Sequence, residues 1–330
     1  MKNLLAITMG DAAGIGAEII LKAFSRKYFF KKYKCLVIGE KSVLEFYKNL
    51  FKINSPEIIT IQNPDRYEDG KICVIDLNIV KNDFEAGKIS PKCGEAAFQY
   101  IDYAINKAKN GEIDAVITCP INKEALHLAG HNYPGHTEIF AEKCGVKNFT
   151  MLFKLKNVSV VHCTTHCSLK DAINLITFEK VKQNILLLDG ALKAFGIKEP
   201  RIAVAGLNPH AGENGLFGTE EIERINPAVE WAKQNGINAS GAFPPDTVFV
   251  SAFNGKYDGI VAMLHDHGFV ALKSRDFLSG VNITVGLPII RTSVGHGTAF
   301  DIAKKGLACE NSLLAAISDA EKMAKYRKKP

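Results

Sequence analysis

All nine histidines of the chain lie beyond position 126, at 127, 131, 136, 162, 166, 210, 265, 267 and 296. Three of them share a setting. His166 follows the apolar run SVVHC, His210 follows RIAVAGLNP and His265 follows GIVAML, so each stands at or just past the carboxyl end of an expected strand. In open α/β sheets that edge binds ligands, because the strands stop there and the loops open a crevice. Neutral imidazoles converging from separate strand ends can hold a divalent metal and leave coordination positions for substrate. Each histidine alone reads as a hydrogen-bonded loop residue. The set, with Asp266 and Asn208 nearby as partners for ligating rings, fits a metal centre as well as it fits three unrelated loops.

Other segments offer anion chemistry. YPGHTE places His136 and Thr137 at the start of an expected helix running into IFAEKC, where free backbone N–H groups can meet a phosphate or carboxylate. By itself that stretch reads more simply as a helix capped by Thr137. Lys273, Asn282 and Arg291 share one C-terminal stretch, and the two cations are the natural partners of an anionic substrate. MGDAAGIGAE has glycines at 10, 14 and 16, which is not the GxGxxG spacing of a dinucleotide loop, and reads as a strand-to-helix turn. In GHGTAFDIA, Thr298 precedes Asp301 by three residues, as at a capped helix start. PHAGENG, Pro209 to Gly215, suits a loop whose backbone approaches a ligand closely.

Positioning these residues requires a sizeable fold. The 330 residues suggest two domains. Short Val- and Ile-rich runs alternate with amphipathic segments, the pattern of βαβ units with buried parallel strands. Strands are expected at Leu4 to Met9, Cys35 to Ile38, Ile58 to Ile61, Ile72 to Ile75, Ala115 to Thr118, Ser159 to His162, Ile202 to Ala205, Gly259 to Met263 and Val281 to Thr284. Helices are expected at Glu95 to Lys109, Val181 to Phe195, Glu220 to Gln234 and Ser312 to Tyr326. Hydrophobic residues at 47% and charged residues at 23% exclude disorder and fibre. A net charge of +6, part of it in a solvated tail of Lys322, Lys325, Arg327, Lys328 and Lys329, suits an anionic small molecule without demanding nucleic acid. Eight cysteines without CxxC pairs fit a reducing cytoplasm, and no apolar stretch approaches the length of a membrane span or signal peptide.

Together, MGDAAGIG, NKEALHLAGHNYPGHTE, GLNPHAGENGLFGTEE, PPDTVF, AMLHDHG and GVNITVGLPIIRTSVGHGTAFDIA resemble the 4-hydroxythreonine-4-phosphate dehydrogenase family, from residue 8 to about residue 310. The resemblance implies an α/β fold of the isocitrate/isopropylmalate dehydrogenase type, two α/β/α domains with the active site in the cleft between them. The expected domains are 1–130 with 282–330, and 131–281, the latter carrying the metal ligands and the dimer interface. It makes His166, His210 and His265 the metal ligands, His265 reaching the partner subunit's site in a homodimer with shared active sites. His136, Thr137, Lys273, Asn282 and Arg291 become substrate contacts, which reverses the plain capping reading of His136 and Thr137. Asp246 of PPDTVF lines the pocket, and His136, Asp246 and Lys273 are candidate proton acceptors. His296, Gly297, Thr298 and Asp301 resemble the adenosine-side segment of an NAD site.

The implied activity is NAD- or NADP-dependent oxidation of the 3-hydroxyl of a 4-phosphorylated hydroxy acid, then decarboxylation, as in pyridoxal phosphate biosynthesis. One divalent metal per site is implied, zinc first, with magnesium and cobalt as alternatives. A second branch of the family acts on 4-phospho-D-threonate or 4-phospho-D-erythronate, and NKEALHLAGHNYPGHTE and AGENGLFG look closer to it. An acyl-phosphate acyltransferase and a non-catalytic relative are the rival classes. Three departures stand out: Ala12 and Ala17 replace the prolines of the usual MGDPAGIGPE, His267 replaces the Gln of HDQG, and Gly295 replaces the Asp of SVDHG.

Overall fold

The computed structural model describes residues 2–81, 83–276 and 279–327. The chain divides into two compact units, Met1–Lys147 with Leu287–Pro330, and Asn148–Gly286. These boundaries differ from the expected 130/131 and 281/282. Phe140 of the helix His136–Lys143 is fully buried, and that helix packs on the helix Pro91–Lys109, so it belongs to the first unit.

In the first unit, β1 (Leu4–Thr8), β2 (Lys34–Gly39), β3 (Ile58–Ile61), β4 (Ile72–Asp76) and β5 (Ala115–Thr118) come before the second unit in the chain. The second unit contributes β6 (Thr150–Leu155), β7 (Val158–His162), β8 (Ile202–Ala205), β9 (Ala239–Phe243), β10 (Gly259–Ala262) and β11 (Val281–Val285), and β12 (Arg291–Val294) returns to the first. The first unit orders its strands β3-β4-β2-β1-β5-β12, every pairing parallel. Its strands β1, β2, β4 and β5 read LLAIT, KCLVIG, ICVID and AVIT, largely apolar because a parallel sheet covered on both faces needs apolar side chains on both. Leu5, Ile7, Leu36, Ile38 and Val116 are fully buried. The helix Pro91–Lys109 buries Ala97, Tyr100, Ile101 and Ile105, and opens with proline at a position where no N–H is required.

The second unit orders its strands β11-β6-β7-β10-β8-β9. There β7, β10, β8 and β9 run parallel, while β6 is antiparallel to both β11 and β7. Phe153, Val160, Ala203, Ile260 and Phe269 lie in its buried core.

All nine expected strands and four expected helices form, with ends shifted by a few residues. Three strands escape the sequence reading. β6 is joined to β7 by a two-residue connection in which Lys156 takes a positive φ, β9 is built from the small residues ASGAF, and β12 reads RTSV, all four buried although three are polar. The helix expected from Glu220 begins as one wide turn, Glu221–Ile225, before the regular helix Asn226–Gln234, whose second residue, Pro227, has no N–H for the helical ladder. Among the described residues no helix is long and apolar enough to cross a membrane, and no cysteine is disulfide-bonded. Lys322, Lys325 and Arg327 are exposed on the helix Asn311–Arg327, whereas Lys328 and Lys329 lie outside the described residues.

Candidate active site

In the second unit, β7, β10 and β8 are neighbours with a common direction, so their carboxyl ends open on one edge. His166 follows β7 by four residues, His265 is the first residue of the helix His265–Arg275 after β10, and His210 follows β8. The rings of His166 and His265 stand 5.9 Å apart. Nδ1 of His265 lies 2.6 Å from Oδ1 of Asp266, which fixes the ring and leaves Nε2 for a ligand. A ring centroid sits about 3.2 Å from an ion bound through Nε2 at about 2.0–2.1 Å, so two ligands of one ion have centroids about 5–6 Å apart. The His166 and His265 pair fits that spacing. His210 is exposed in the loop Pro209–Gly215, with Nδ1 3.2 Å from Oε2 of Glu213. Among the described residues no three His, Cys, Asp or Glu side chains form a group able to hold an ion, so one chain brings two of the three imidazoles together.

A fourth imidazole lies beneath them and is missed by the sequence reading, which took it as a strand end. His162, only 2% exposed, stacks on Phe269 at 4.7 Å with the rings 3° from parallel. Burial, with His265 and His267 adding to it, pulls its pKa to about 3, so the ring is neutral. Gly268 makes room for it, since a Cβ there would meet Nε2 of His162 at 2.1 Å. The sequence signal is the glycine of HDHG. On the same helix Lys273 is exposed, its Nζ 4.9 Å from the centroid of Phe269. Asp246, Asp266, His267 and Arg275 line a cleft of about 720 Å³ with Phe249 and Phe253. Asn282 is half-buried on β11, and its Oδ1 is buried without a hydrogen-bond partner, an acceptor held for a donor.

The first unit gathers a second set around the carboxyl end of β5, which Arg291, the first residue of β12, reaches with its side chain. Arg291 on β12 is 3% exposed, donates from Nη2 to Oγ1 of Thr118 at 2.7 Å, and lies 5.6 Å from the centroid of Phe140. Burial lowers its pKa to about 9 against the opposing charge of Glu138, so it keeps its charge at neutral pH. His136 opens the helix His136–Lys143, and its Nε2 is buried without a partner. Burial, then the nearby charge of Arg291, holds its pKa well below the usual histidine range, which leaves a neutral ring able to accept a hydrogen bond. The capping reading of Thr137 is corrected: the cap is Gly135, with extended backbone, and no side chain caps this helix.

The cofactor segment also departs from expectation. No helix starts at Thr298; residues 300–306 form turns, and Ala299 has φ +46°, which a right-handed helix does not allow. The carbonyl of Thr298 accepts from the N–H of Ile15 at 3.1 Å, and a Cβ on Gly14 would meet Thr298 at 3.1 Å. The segment therefore lies on the MGDAAGIG turn. Nδ1 of His296 faces the carbonyl of Gly297 at 3.0 Å, Gly297 and Asp301 are exposed, and Gly295 donates its N–H to Oγ of Ser312 at 2.9 Å. Asp11 in that turn accepts from Ala13 N–H at 2.8 Å, while its Oδ2 is buried with no partner. Gly10, with φ +76°, passes so close to the carbonyl of Pro120 that a Cβ would stand 2.3 Å from its oxygen.

Comparison with known proteins follows the same residues. The family model described as pyridoxal phosphate biosynthetic protein PdxA matches residues 31–320. A D-threonate 4-phosphate dehydrogenase of Cupriavidus necator is 45% identical over 328 residues, covering 98% of this chain and 98% of that protein. A 4-hydroxythreonine-4-phosphate dehydrogenase of Beijerinckia indica is 44% identical, over 97% of this chain and 94% of its own length. The crystal structure of 4-hydroxythreonine-4-phosphate dehydrogenase from Klebsiella pneumoniae superposes with a TM-score of 0.91 at 41% identity, over 98% of each chain.

Proposed function

We propose a function that starts from one fact: the chain belongs to the pyridoxal phosphate biosynthetic protein PdxA family. It is an oxidoreductase of that family, whose relatives named above are dehydrogenases of 4-hydroxythreonine 4-phosphate and of D-threonate 4-phosphate. The proposed reaction oxidises the 3-hydroxyl of a 4-phosphorylated hydroxy acid and then releases the carboxylate of the β-keto acid as CO2. The single observation that carries it is the delivery of His166, His210 and His265 from the carboxyl ends of three adjacent parallel strands, two of the rings 5.9 Å apart.

Those three side chains would hold a divalent metal, zinc first among candidates, which when bound supplies Lewis acidity to the substrate's hydroxyl and carboxylate oxygens. NAD or NADP supplies the hydride acceptor, and the Gly295–Asp301 segment with the MGDAAGIG turn is the proposed cofactor surface. Asp266 holds the His265 ring in the tautomer that leaves Nε2 as the donor. Arg291 and Lys273 bind the substrate phosphate, Arg291 with an orientation already set by its bond to Thr118. Phosphate binding then fixes the reacting carbon, so a substrate lacking phosphate loses turnover as well as affinity. Asn282 and Thr137 complete the substrate contacts. His136, Asp246 and Lys273 are the candidate acceptors of the hydroxyl proton, and the buried, unpartnered Nε2 of His136 is an acceptor for a substrate hydrogen bond. The proposed working form is a homodimer with shared sites, because one chain assembles only two of the three imidazoles.

A second reading concerns the C2 substituent, amino or hydroxyl, and NKEALHLAGHNYPGHTE with AGENGLFG favours the D-threonate branch. The test is reduction of NAD or NADP assayed side by side with 4-phosphohydroxy-L-threonine and 4-phospho-D-threonate, before and after exhaustive chelation. Activity with at least one substrate, lost on chelation and restored by zinc, is expected. Activity that survives removal of metal overturns the mechanism.

A further inference from the structure

We infer that Glu221 is the positioning residue that holds His210 in place, an inference that rests on the reading of His210 as a metal ligand. Glu221 is 2% exposed. Its Oε1 accepts from the backbone N–H of Leu207 at 2.7 Å and of Asn208 at 2.8 Å, and Oε2 accepts from Nδ2 of Asn208 at 3.0 Å. The loop is shaped around this carboxylate: a Cβ on Gly206 would meet Oε1 at 2.9 Å, and one on Gly212 would meet Oε2 at 2.7 Å. In the same loop His210, Ala211, Glu213 and Asn214 all take positive φ, from 45° to 56°. L-residues visit that conformation singly and not in runs, so four of them in one loop need an external anchor. The loop's own bonds are ordinary turn contacts, Ala211 to Asn208, Leu216 to Glu213 and Phe217 to Gly212. The Asn208 amide nitrogen donates to both Glu220 and Glu221, which makes that side chain part of the anchor.

The test measures zinc affinity of the full chain by competition with a chromogenic chelator, and amide exchange over residues 207–217 in zinc-free protein. Glu221→Gln places an amide where Oε2 now faces the Nδ2 donor of Asn208. A 10–100-fold loss of zinc affinity is expected, with faster exchange in the loop. His210→Ala should also lose affinity, and adding Glu221→Gln to it should cost nothing more, because both act through one ligand. Glu40 is the control: this buried carboxylate of the first unit accepts from the N–H groups of Ile79, Val80 and Lys81. Glu40→Gln should lower thermal stability and leave zinc affinity unchanged. Asn208→Ala carries the same readouts if Glu221→Gln does not fold. Wild-type zinc affinity in Glu221→Gln beside a weakened His210→Ala overturns the inference, as does a full additive loss in the double variant. Unchanged affinity in His210→Ala overturns instead the metal reading of His210; faster loop exchange in Glu221→Gln then still supports the anchor, and unchanged exchange overturns it too.

Discussion

Replacing Asp11 by Asn should make the protein more stable at pH 7 and change it far less at pH 4. Asp11 is buried in the turn after β1, with one oxygen bonded to the N–H of Ala13 and the other without a partner. Burial, the larger effect, raises its pKa from 3.8 to about 6 against the smaller opposing effect of the Ala13 bond. The folded state therefore binds this proton more tightly than the unfolded chain. Stability from the group is complete below about pH 4 and is lost as the pH rises towards and through 6. At 1.36 kcal/mol per pH unit, a rise of about two units corresponds to about 3 kcal/mol. The amide keeps the acceptor for Ala13, puts its NH2 where the unpartnered oxygen lies, and does not titrate. The stability of Asp11→Asn minus that of wild type should climb by about 2–3 kcal/mol between pH 4 and pH 7. Urea denaturation of both proteins at four pH values measures it, and because every other titrating group is common to the pair, its contribution cancels in the difference. A difference that stays flat with pH, or falls, refutes the reasoning.

Gly268→Ala would place a methyl 2.1 Å from Nε2 of a buried histidine stacked on Phe269; a loss of about 1–3 kcal/mol and about tenfold weaker zinc binding are expected, and wild-type melting and affinity would show that the ring yields. Arg291→Lys keeps a charge but loses the planar fork; KM for the phosphorylated substrate should rise about 10–100-fold with a smaller effect on kcat, and a KM within about twofold of wild type removes Arg291 from phosphate binding. Variants His166→Ala, His210→Ala and His265→Ala should each be inactive. Because His166 and His265 stand together in one chain, mixed dimers that pair His210→Ala with His166→Ala or with His265→Ala should regain about half of wild-type activity, one of the two shared sites being then intact. Recovery in the His166→Ala with His265→Ala pair would instead place those two rings on different chains, and no recovery in any verified heterodimer refutes site sharing.

Hydropathy alone was enough to place the nine apolar strands and the α/β class, because a strand buried on both faces must be apolar along its whole length. The same rule hid β12: Arg291, Thr292 and Ser293 are buried through hydrogen bonds to Thr118 and to the helix Asn311–Arg327, contacts made by residues far away in the chain. Spacing also brought out the three histidines, since strand ends can be read locally. It could not tell that the segment after Val294 lies on the turn after β1 as irregular chain, because the Ile15 N–H that takes up the Thr298 carbonyl comes from a motif almost 300 residues earlier. Nor could it separate Glu221 from the other acids of GTEE, or His162 from an ordinary strand end. What singles those two out is burial and the partners that burial supplies or denies, and these exist only once distant segments are packed together. The sequence by itself determined which groups are present and in which local elements they stand. The tertiary structure decided which of them are desolvated, anchored and facing one another, because solvation and hydrogen bonding depend on neighbours in space and not along the chain.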